Sequence, residues 1–360
     1  MAAPMRVGIL HDMADAPPDD ATLGGGIETL LRLPIDDLLE CGRLDREVEF
    51  VHASGLGLPT GSAFAVEQAF AELVARGVLL IVGPAIGDNA LVATPLADRA
   101  RIPTINWAGT ERGRSEFMFH LQVGSHEDEG VVLARYVAGL GVERVGVVFD
   151  RSPIGARYAS FFEAECDVLG LELAARVPIG PLATDATREL AKVRAMGADA
   201  LVYLGLGLAG TAVARARRDA GWDVSAAMNT AGLHGYDPEY AREIDGWVYV
   251  DMLDDDNPVL AALYDRLDAG VAHGVIPAIR YDLGLLIAEG LARAPELTAS
   301  GVRDGLELVK LVPSAEGRAG TTLGFGHWDR GALHGEYLVL RQWRDATSVQ
   351  VGPSKEGPTK

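Results

Sequence analysis

Three glycines, Gly205, Gly207 and Gly210, have the spacing of a phosphate-binding loop. They follow an apolar run and precede a helical pattern, as in a dinucleotide-binding fingerprint, where small residues let backbone amides approach a pyrophosphate. That fingerprint also requires an acidic residue at the end of the next strand, about 20 residues further on. Asp223 follows Gly210 by only 13 residues (223 − 210 = 13) and precedes its strand. We therefore predict no nucleotide site and no cofactor.

Metal-binding and nucleophilic chemistry are also disfavoured. The stretch His126-Glu127-Asp128-Glu129 has metal-ligand residue types, but adjacent residues at a helix start point in different directions. An acidic first turn that complements the helix dipole explains it better. Cys41 and Cys166 fall in helical patterns without spaced His or Cys partners, so we expect two buried, inert thiols. The chain has no Gly-x-Ser-x-Gly turn. We predict no metal site and no enzyme activity.

The elements that must position any binding residues are clearest between Val78 and Thr110. This stretch contains an apolar run that ends at Gly83-Pro84, a helical pattern from Asp88, and a second apolar run that ends at Asn106. Continuous apolar runs separated by a helix are typical of parallel strands that are buried on both faces. Ligands of such sheets bind at the carboxyl ends of the strands.

The strand-helix-strand pattern occurs twice in the chain. The second copy repeats three segments of the first. Their offsets are 122, 123 and 138 residues (201 − 79, 228 − 105 and 144 − 6). The paired segments are Leu79–Pro84 with Leu201–Leu206, Ile105–Gly109 with Met228–Gly232, and Arg6–Asp12 with Arg144–Asp150. We predict an α/β fold with two doubly wound, Rossmann-like lobes that face each other, with paired loops along the cleft between them.

The expected lobe boundaries follow from this repeat and from the length of 360 residues, which favours two domains. Lobe 1 is predicted to comprise residues 1–122 and 253–323, and lobe 2 residues 123–252 and 324–350, with a flexible tail at 351–360. The chain would cross three times, near Val123, Met252 and Leu323, and so form a hinge. An antiparallel pair is expected between Leu323–Trp328 and Tyr337–Gln342.

Charge and hydropathy limit the partners. The formal charge of −19 repels phosphate backbones, so we expect no nucleic acid partner. No run of 18 apolar residues is present, and the amino terminus has no export signal. We expect a cytoplasmic protein as the chain is written, or a periplasmic one if a leader has been removed, and a monomer or weak homodimer.

Several motifs, in their order, resemble those of the type I periplasmic binding proteins. They span roughly Met5 to Arg344 and include Val-Gly-Pro at 82–84, Ile-Asn-Trp-Ala-Gly-Thr at 105–110, Val-Phe-Asp at 148–150 and Trp-Asp-Arg-Gly at 328–331. The nearest branch is the leucine/isoleucine/valine-binding group of ABC importers. The resemblance implies a receptor that captures a small-molecule ligand by hinge closure and delivers it to a membrane permease.

The resemblance also implies where the ligand would lie. In lobe 1, a ligand carboxylate would meet backbone amides near Gly87 and Asp88 and the Thr110 hydroxyl; Thr110 could equally cap a following helix, and Asp88 is better explained as a helix cap. The complete set of expected ligand-binding residues is His11, Asp12, Ile86, Gly87, Asp88, Trp107, Ala108, Gly109, Thr110, Ile154, Leu206, Gly207, Asn229, Thr230 and Ala231. Of these, His11 and Asp12 could instead form a turn.

Two departures from the family pattern bear on the ligand. Ala231 stands where the amino-acid binders have an acidic residue for the ligand ammonium, and Ile154 stands near the place of a typical tyrosine. Because a buried ammonium without an anion is costly, we expect a largely apolar or aromatic carboxylate or amide ligand instead. A cytoplasmic ligand-sensing regulator of the amide-sensor type, with the same fold, is the alternative.

Overall fold

The computed structural model describes residues 3–14, 27–267 and 274–351. The chain divides into unit 1, Met1–Val123 with Leu253–Tyr337, and unit 2, Gly124–Met252 with Leu338–Lys360. The first two passages between units lie beside the expected Val123 and Met252. The third follows Tyr337 instead of Leu323, because the segment around Leu323 pairs with strands of unit 1. The tail expected at 351–360 and most of the loop expected at 12–26 lie outside the described residues.

Unit 1 contains a five-stranded sheet in the order β2-β1-β3-β4-β5, with every neighbouring pair parallel. The short strands β3, β4 and β5 are buried throughout, as the continuous apolar runs predicted. The strands are β1 (Met5–His11), β2 (Val48–Ser54), β3 (Leu80–Val82), β4 (Thr104–Asn106) and β5 (Met118–His120).

Helices cover this sheet. The described helices of unit 1 are α1 (Ile27–Glu40), α2 (Ala63–Ala75), α3 (Gly87–Ala100), α9 (Pro258–Arg266), α10 (Val275–Arg293) and α11 (Ala299–Glu307). On one side, Phe70 and Leu73 of α2 pack with Ala97 of α3 and with Ile81 of the sheet. Helix α10 packs against α1 so closely that a Cβ on Gly284 would lie 2.5 Å from the Leu31 carbonyl oxygen.

The antiparallel pair predicted between Leu323–Trp328 and Tyr337–Gln342 is wrong. Unit 1 has a small antiparallel sheet of β11 (Val312–Pro313), β12 (Thr322–Leu323) and β13 (Leu333–His334). Residues 339–344 pair with strands of unit 2 instead. The apolar alternation around Leu323 predicted a strand, but sequence alone did not identify its partners.

Unit 2 has a seven-stranded sheet in the order β15-β14-β10-β9-β8-β6-β7. The five strands from β10 to β7 run parallel, and β14 and β15 join antiparallel at one edge. The strands are β6 (Arg144–Asp150), β7 (Glu172–Ile179), β8 (Ala200–Leu204), β9 (Ser225–Met228), β10 (Val248–Asp251), β14 (Val339–Arg344) and β15 (Thr347–Gln350).

The helices of unit 2 connect its parallel strands. They are α4 (Asp128–Gly139), α5 (Pro153–Leu169), α6 (Thr187–Ala195), α7 (Gly210–Asp219) and α8 (Pro238–Glu243), with a 3-10 helix over Thr230–Tyr236. Trp247, Trp343 and Tyr249 lie in the core on one side of this sheet. The two units thus share the doubly wound α/β plan that the repeat predicted.

Side chains and glycines end the helices as local chemistry requires. Ser62 caps α2, its Oγ accepting a hydrogen bond from the Ala65 amide at 3.2 Å. Gly170 ends α5 with a φ of 71°, a conformation that glycine adopts without strain. Cys166 is buried as expected, but Cys41 is exposed because it follows the last turn of α1. The expectation of two buried thiols is wrong for Cys41.

Candidate functional site

Asp12 organises the carboxyl end of the unit 1 sheet. Since β1 and β3 are neighbours, the residue after β1 lies beside the loop after β3. The Asp12 carboxylate accepts hydrogen bonds from the Ala85 amide (2.9 Å), the Ile86 amide (3.0 Å) and Asn89 Nδ2 (2.8 Å). Burial raises the pKa of Asp12, and these hydrogen bonds oppose that rise. The carboxylate is therefore engaged by its own chain, which fixes the loop.

The amino terminus of α3 differs from the expectation at Asp88. Ile86 is the cap residue and makes no side-chain cap bond, while Gly87 and Asp88 lie in the first turn. The prediction that Asp88 is the cap is wrong, because Asp12 reaches the same end of the helix from β1. Asp88 is partly exposed, and burial raises the pKa of its carboxyl. A negative charge here interacts favourably with the helix dipole.

The loop after β4 contains the other expected residues of unit 1. Ala108 and Thr110 are buried, and Trp107 and Gly109 are partly exposed. Thr110 Oγ1 accepts a hydrogen bond from the Arg112 amide at 3.3 Å. Residues 111–117 form a turn followed by bends and no helix, so the alternative that Thr110 caps a helix is wrong. The hydroxyl proton of Thr110 remains available for donation, since its oxygen acts here as an acceptor.

Asp150 repeats in unit 2 the arrangement of Asp12 in unit 1. It ends β6, and its carboxylate accepts hydrogen bonds from the Leu206 amide (2.8 Å) and from Tyr203 Oη (2.7 Å). Burial raises the pKa of Asp150 to about 6, against the effect of these two bonds. In each unit an aspartate after the first strand of the repeat thus holds the loop after the strand beside it. The internal duplication extends to this hydrogen-bonded clamp.

Packing explains the glycine motif at Gly205, Gly207 and Gly210. A Cβ on Gly205 would lie 2.3 Å from the carboxyl carbon of Asp150, and a Cβ on Gly210 would lie 2.2 Å from Tyr240 Oη. Gly207 has a φ of 95°, which side chains rarely adopt. The Asp150 carboxylate already bonds the Leu206 amide within this turn, where it would repel a phosphate. The turn is not shaped to hold a pyrophosphate.

Glu129, which was expected only as part of an acidic first turn, lies in the first turn of α4 and is fully buried. Its carboxylate accepts hydrogen bonds from the Ser125 amide (2.7 Å), the Thr230 amide (2.6 Å), Thr230 Oγ1 (3.2 Å) and Tyr158 Oη (3.2 Å). Burial raises the pKa of Glu129 to about 7 despite these bonds. Glu129 therefore ties the start of α4 and helix α5 to the loop after β9.

The rest of the stretch from His126 to Asp128 has structural partners. His126 is buried and packs on Tyr158 with ring centroids 4.6 Å apart, and burial lowers its pKa to about 3. Glu127 accepts a hydrogen bond from Arg157 Nε at 2.6 Å. Within the described ranges, no three His, Cys, Asp or Glu side chains are arranged to hold a metal ion. In the same ranges, no helix is both long and apolar enough to cross a bilayer.

The remaining expected residues of unit 2 follow strands β6, β8 and β9. Asn229 is buried and exchanges hydrogen bonds with the Gly205 amide (3.2 Å) and carbonyl (2.9 Å). Ala231 is buried in the 3-10 helix, and Leu206 is partly exposed. Ile154 is buried in the first turn of α5. Within the unit, Asp150, Gly205 and Asn229 bring the ends of β6, β8 and β9 together.

A sequence profile described as "Periplasmic binding protein" matches residues 5–338. The chain belongs to the periplasmic binding protein family. This family is one of binding proteins, not of enzymes. The resemblance predicted from the motifs is thereby confirmed, and so is the α/β fold.

Solved structures of periplasmic binding proteins match nearly the whole chain. A leucine-binding protein from Thermotoga maritima has a TM-score of 0.80 at 15% identity, covering 97% of this chain and 98% of its own. A branched-chain amino acid transporter substrate-binding protein from Streptococcus pneumoniae, in complex with isoleucine, has a TM-score of 0.80 at 18% identity. The match covers 96% of this chain and 98% of that protein. An ABC transporter substrate-binding protein from Desulfitobacterium hafniense, in complex with Leu, has a TM-score of 0.77 at 19% identity. The match covers 97% of this chain and 100% of that protein. No curated protein matches the chain in sequence.

One difference from the expected family pattern is visible in unit 2 of this periplasmic binding protein. Ile154, near the place of the expected tyrosine, is buried, whereas Tyr158 lies one helical turn later on the same side of α5. Tyr158 Oη lies 3.4 Å from Thr230 Oγ1 and donates to Glu129. A tyrosine hydroxyl therefore does reach the loop after β9, from a later position than the sequence suggested.

Proposed function

We propose that this protein is the solute-binding receptor of an ABC-type importer and captures a small, largely apolar or aromatic carboxylate or amide. The strand-end loops of each unit would supply the contacts, and capture would proceed by hinge closure without chemical change. Membership of the periplasmic binding protein family supports the receptor role. The importer role, the permease partner and a location outside the cytoplasmic membrane are parts of the proposal.

One observation carries the choice of solute class. Ala231 occupies the place at which the resemblance requires an acidic residue for the ammonium of an α-amino acid. Glu129 is the carboxylate that hydrogen-bonds this loop, but it is fully buried and accepts four hydrogen bonds from the chain. Among the described residues, Glu129 is therefore not free to pair with a ligand ammonium at this loop, and desolvation of an ammonium without an anion costs several kcal/mol.

Apolar side chains beside the same loops support this choice. Trp107 in unit 1 and Leu206 in unit 2 are partly exposed, and Leu208 is 42% exposed. All three lie in loops at the carboxyl ends of their sheets. Burial of such groups against an apolar solute contributes about 25 cal/mol per Å². Aromatic or alicyclic bodies would gain most from these contacts.

A thermal-shift screen tests the proposal. The panel comprises amino acids, aromatic acids, amides and steroid-like acids, each added to the full chain. We expect the largest increases in Tm from aromatic or alicyclic acids and amides, since a ligand that binds only the folded state stabilises it. Leucine as the strongest binder of the panel would refute the proposed solute class. Cell fractionation distinguishes an importer receptor from a cytoplasmic regulator.

A further inference from the structure

A chain of hydrogen bonds connects His11 to Glu28 in unit 1. His11 Nε2 lies 2.8 Å from His52 Nδ1, and His52 Nε2 lies 2.9 Å from Glu28 Oε1. His11 pairs with Ser54 across β1 and β2, so His52, two residues earlier on β2, projects from the same face of the sheet. The two rings stack with centroids 5.2 Å apart and 10° between their planes.

With both imidazoles neutral, these contacts determine which ring nitrogens carry protons. An ionised Glu28 accepts hydrogen bonds only, so His52 must donate from Nε2. A neutral His52 then has an unprotonated Nδ1, which accepts the Nε2 proton of His11. A neutral His11 consequently presents an unprotonated Nδ1 on the other side of its ring. The terminal nitrogen of this series of hydrogen bonds, His11 Nδ1, is thus a hydrogen-bond acceptor.

The surroundings of His11 and Glu28 keep the first neutral and the second ionised. Burial lowers the pKa of His11 to about 4, and a positive charge on His52 or Arg280 would lower it further. Burial acts to raise the pKa of Glu28, but hydrogen bonds from His52 and Arg32 outweigh it and lower that pKa. Arg32 donates to Glu28 Oε2 at 2.9 Å. His11 is therefore neutral and Glu28 ionised near pH 7.

We propose that His11 Nδ1 accepts a hydrogen bond from an uncharged donor group of the captured solute, a hydroxyl or a carboxamide N–H. His11 ends β1, beside Asp12 and the loop after β3, and its side chain remains partly exposed. A carboxylate has no proton to donate to this nitrogen. The positive charge of Arg280, which acts on His11, would oppose an ammonium at the same point. This inference rests on the proposed receptor function.

The tautomer can be measured without any solute. Long-range ¹H–¹⁵N spectra of the full chain, labelled with ¹⁵N-histidine and assigned with H11Q and H52Q, distinguish protonated from unprotonated ring nitrogens. His120 is an internal reference, because its Nε2 contacts the Ala108 carbonyl at 2.6 Å and its Nδ1 accepts from Arg114 Nε at 3.0 Å. We expect His11 at pH 7 to match the Nε2–H pattern of His120. A proton on His11 Nδ1 would overturn the proposal.

The donor class is tested with three matched probes: benzamide, N,N-dimethylbenzamide and benzoate. Saturating benzamide should shift the ¹⁵N resonance of His11 Nδ1, and N,N-dimethylbenzamide, which has no N–H, should shift it far less. An unchanged Nδ1 resonance with benzamide overturns the proposal, as does an equal shift with benzoate. The receptor proposal is judged separately by the thermal-shift panel, so the failure of either can be distinguished.

Discussion

Replacement of Glu129 by Gln should change how stability depends on pH. Burial raises the pKa of Glu129 from 4.5 to about 7 in the folded protein. Between these values the folded state binds more protons than the unfolded state, so the free energy of unfolding falls as pH rises. One such group contributes up to about 2 kcal/mol between pH 5 and pH 7, at about 1.4 kcal/mol for each pH unit.

Glutamine cannot ionise, so E129Q should lack this contribution. At pH 5 the native side chain is mostly protonated, and we expect E129Q to be less stable than wild type by about 1 kcal/mol, since one hydrogen bond around Ser125 and Thr230 is poorly satisfied. By pH 8 that difference should have disappeared or reversed. Asp150 and Asp282, whose pKa values burial raises to about 6 and about 7, titrate identically in both proteins and cancel in the comparison.

Urea unfolding followed by tryptophan fluorescence at pH 5, 6, 7 and 8 provides the measurement. E67Q is the matched control, because Glu67 is exposed on α2 and its replacement should leave the pH profile of wild type unchanged. A difference between wild type and E129Q that stays constant from pH 5 to pH 8 would refute the reasoning. It would mean that the four hydrogen bonds outweigh burial and keep Glu129 ionised throughout.

Three further predictions follow from single contacts. G205A should destabilise the protein by about 1–3 kcal/mol in urea unfolding, because its Cβ would lie 2.3 Å from the Asp150 carboxyl carbon. G139A is the control and should not destabilise the protein, because no atom lies within 4 Å of the added Cβ. Equal effects of the two substitutions would contradict the packing argument. A thiol reagent should modify Cys41 alone in the folded protein and Cys166 only after unfolding, because burial raises the pKa of the Cys166 thiol to about 12. Rapid reaction of both cysteines in the folded protein would contradict the buried position of Cys166. T110A should weaken binding of the best solute of the thermal-shift panel by about 1 kcal/mol or more in calorimetry. T347A, at an exposed position on β15, should leave that binding unchanged. No effect of T110A on binding would make Thr110 a purely structural residue.

The duplicated α/β fold was predictable because it depends on patterns that repeat in the chain. The apolar runs around Ile81 and Val202 marked the parallel strands, and the repetition of three segments in the same order indicated two copies. The antiparallel partners of Leu323 were not predictable, since short strands carry little information about which edge they join.

The candidate site was predicted at the level of loops but not of hydrogen bonds. Asp12 and Asp88 are both acidic residues near the start of α3, and sequence preference favoured Asp88 as its cap. Only the sheet order shows that Asp12 reaches the amides of Ala85 and Ile86. Glu129 was placed in an acidic first turn, but its buried hydrogen bonds were not predicted, because its partner Thr230 is 101 residues away.

The central claim is that the protein holds an uncharged or acidic apolar solute and does not transform it. Isothermal titration calorimetry with the best solute of the panel tests this most directly, with recovery and mass analysis of the solute afterwards. We expect saturable binding of one aromatic or alicyclic acid or amide per chain, with the solute recovered unchanged. Tighter binding of leucine, or recovery of a chemically altered solute, would contradict it.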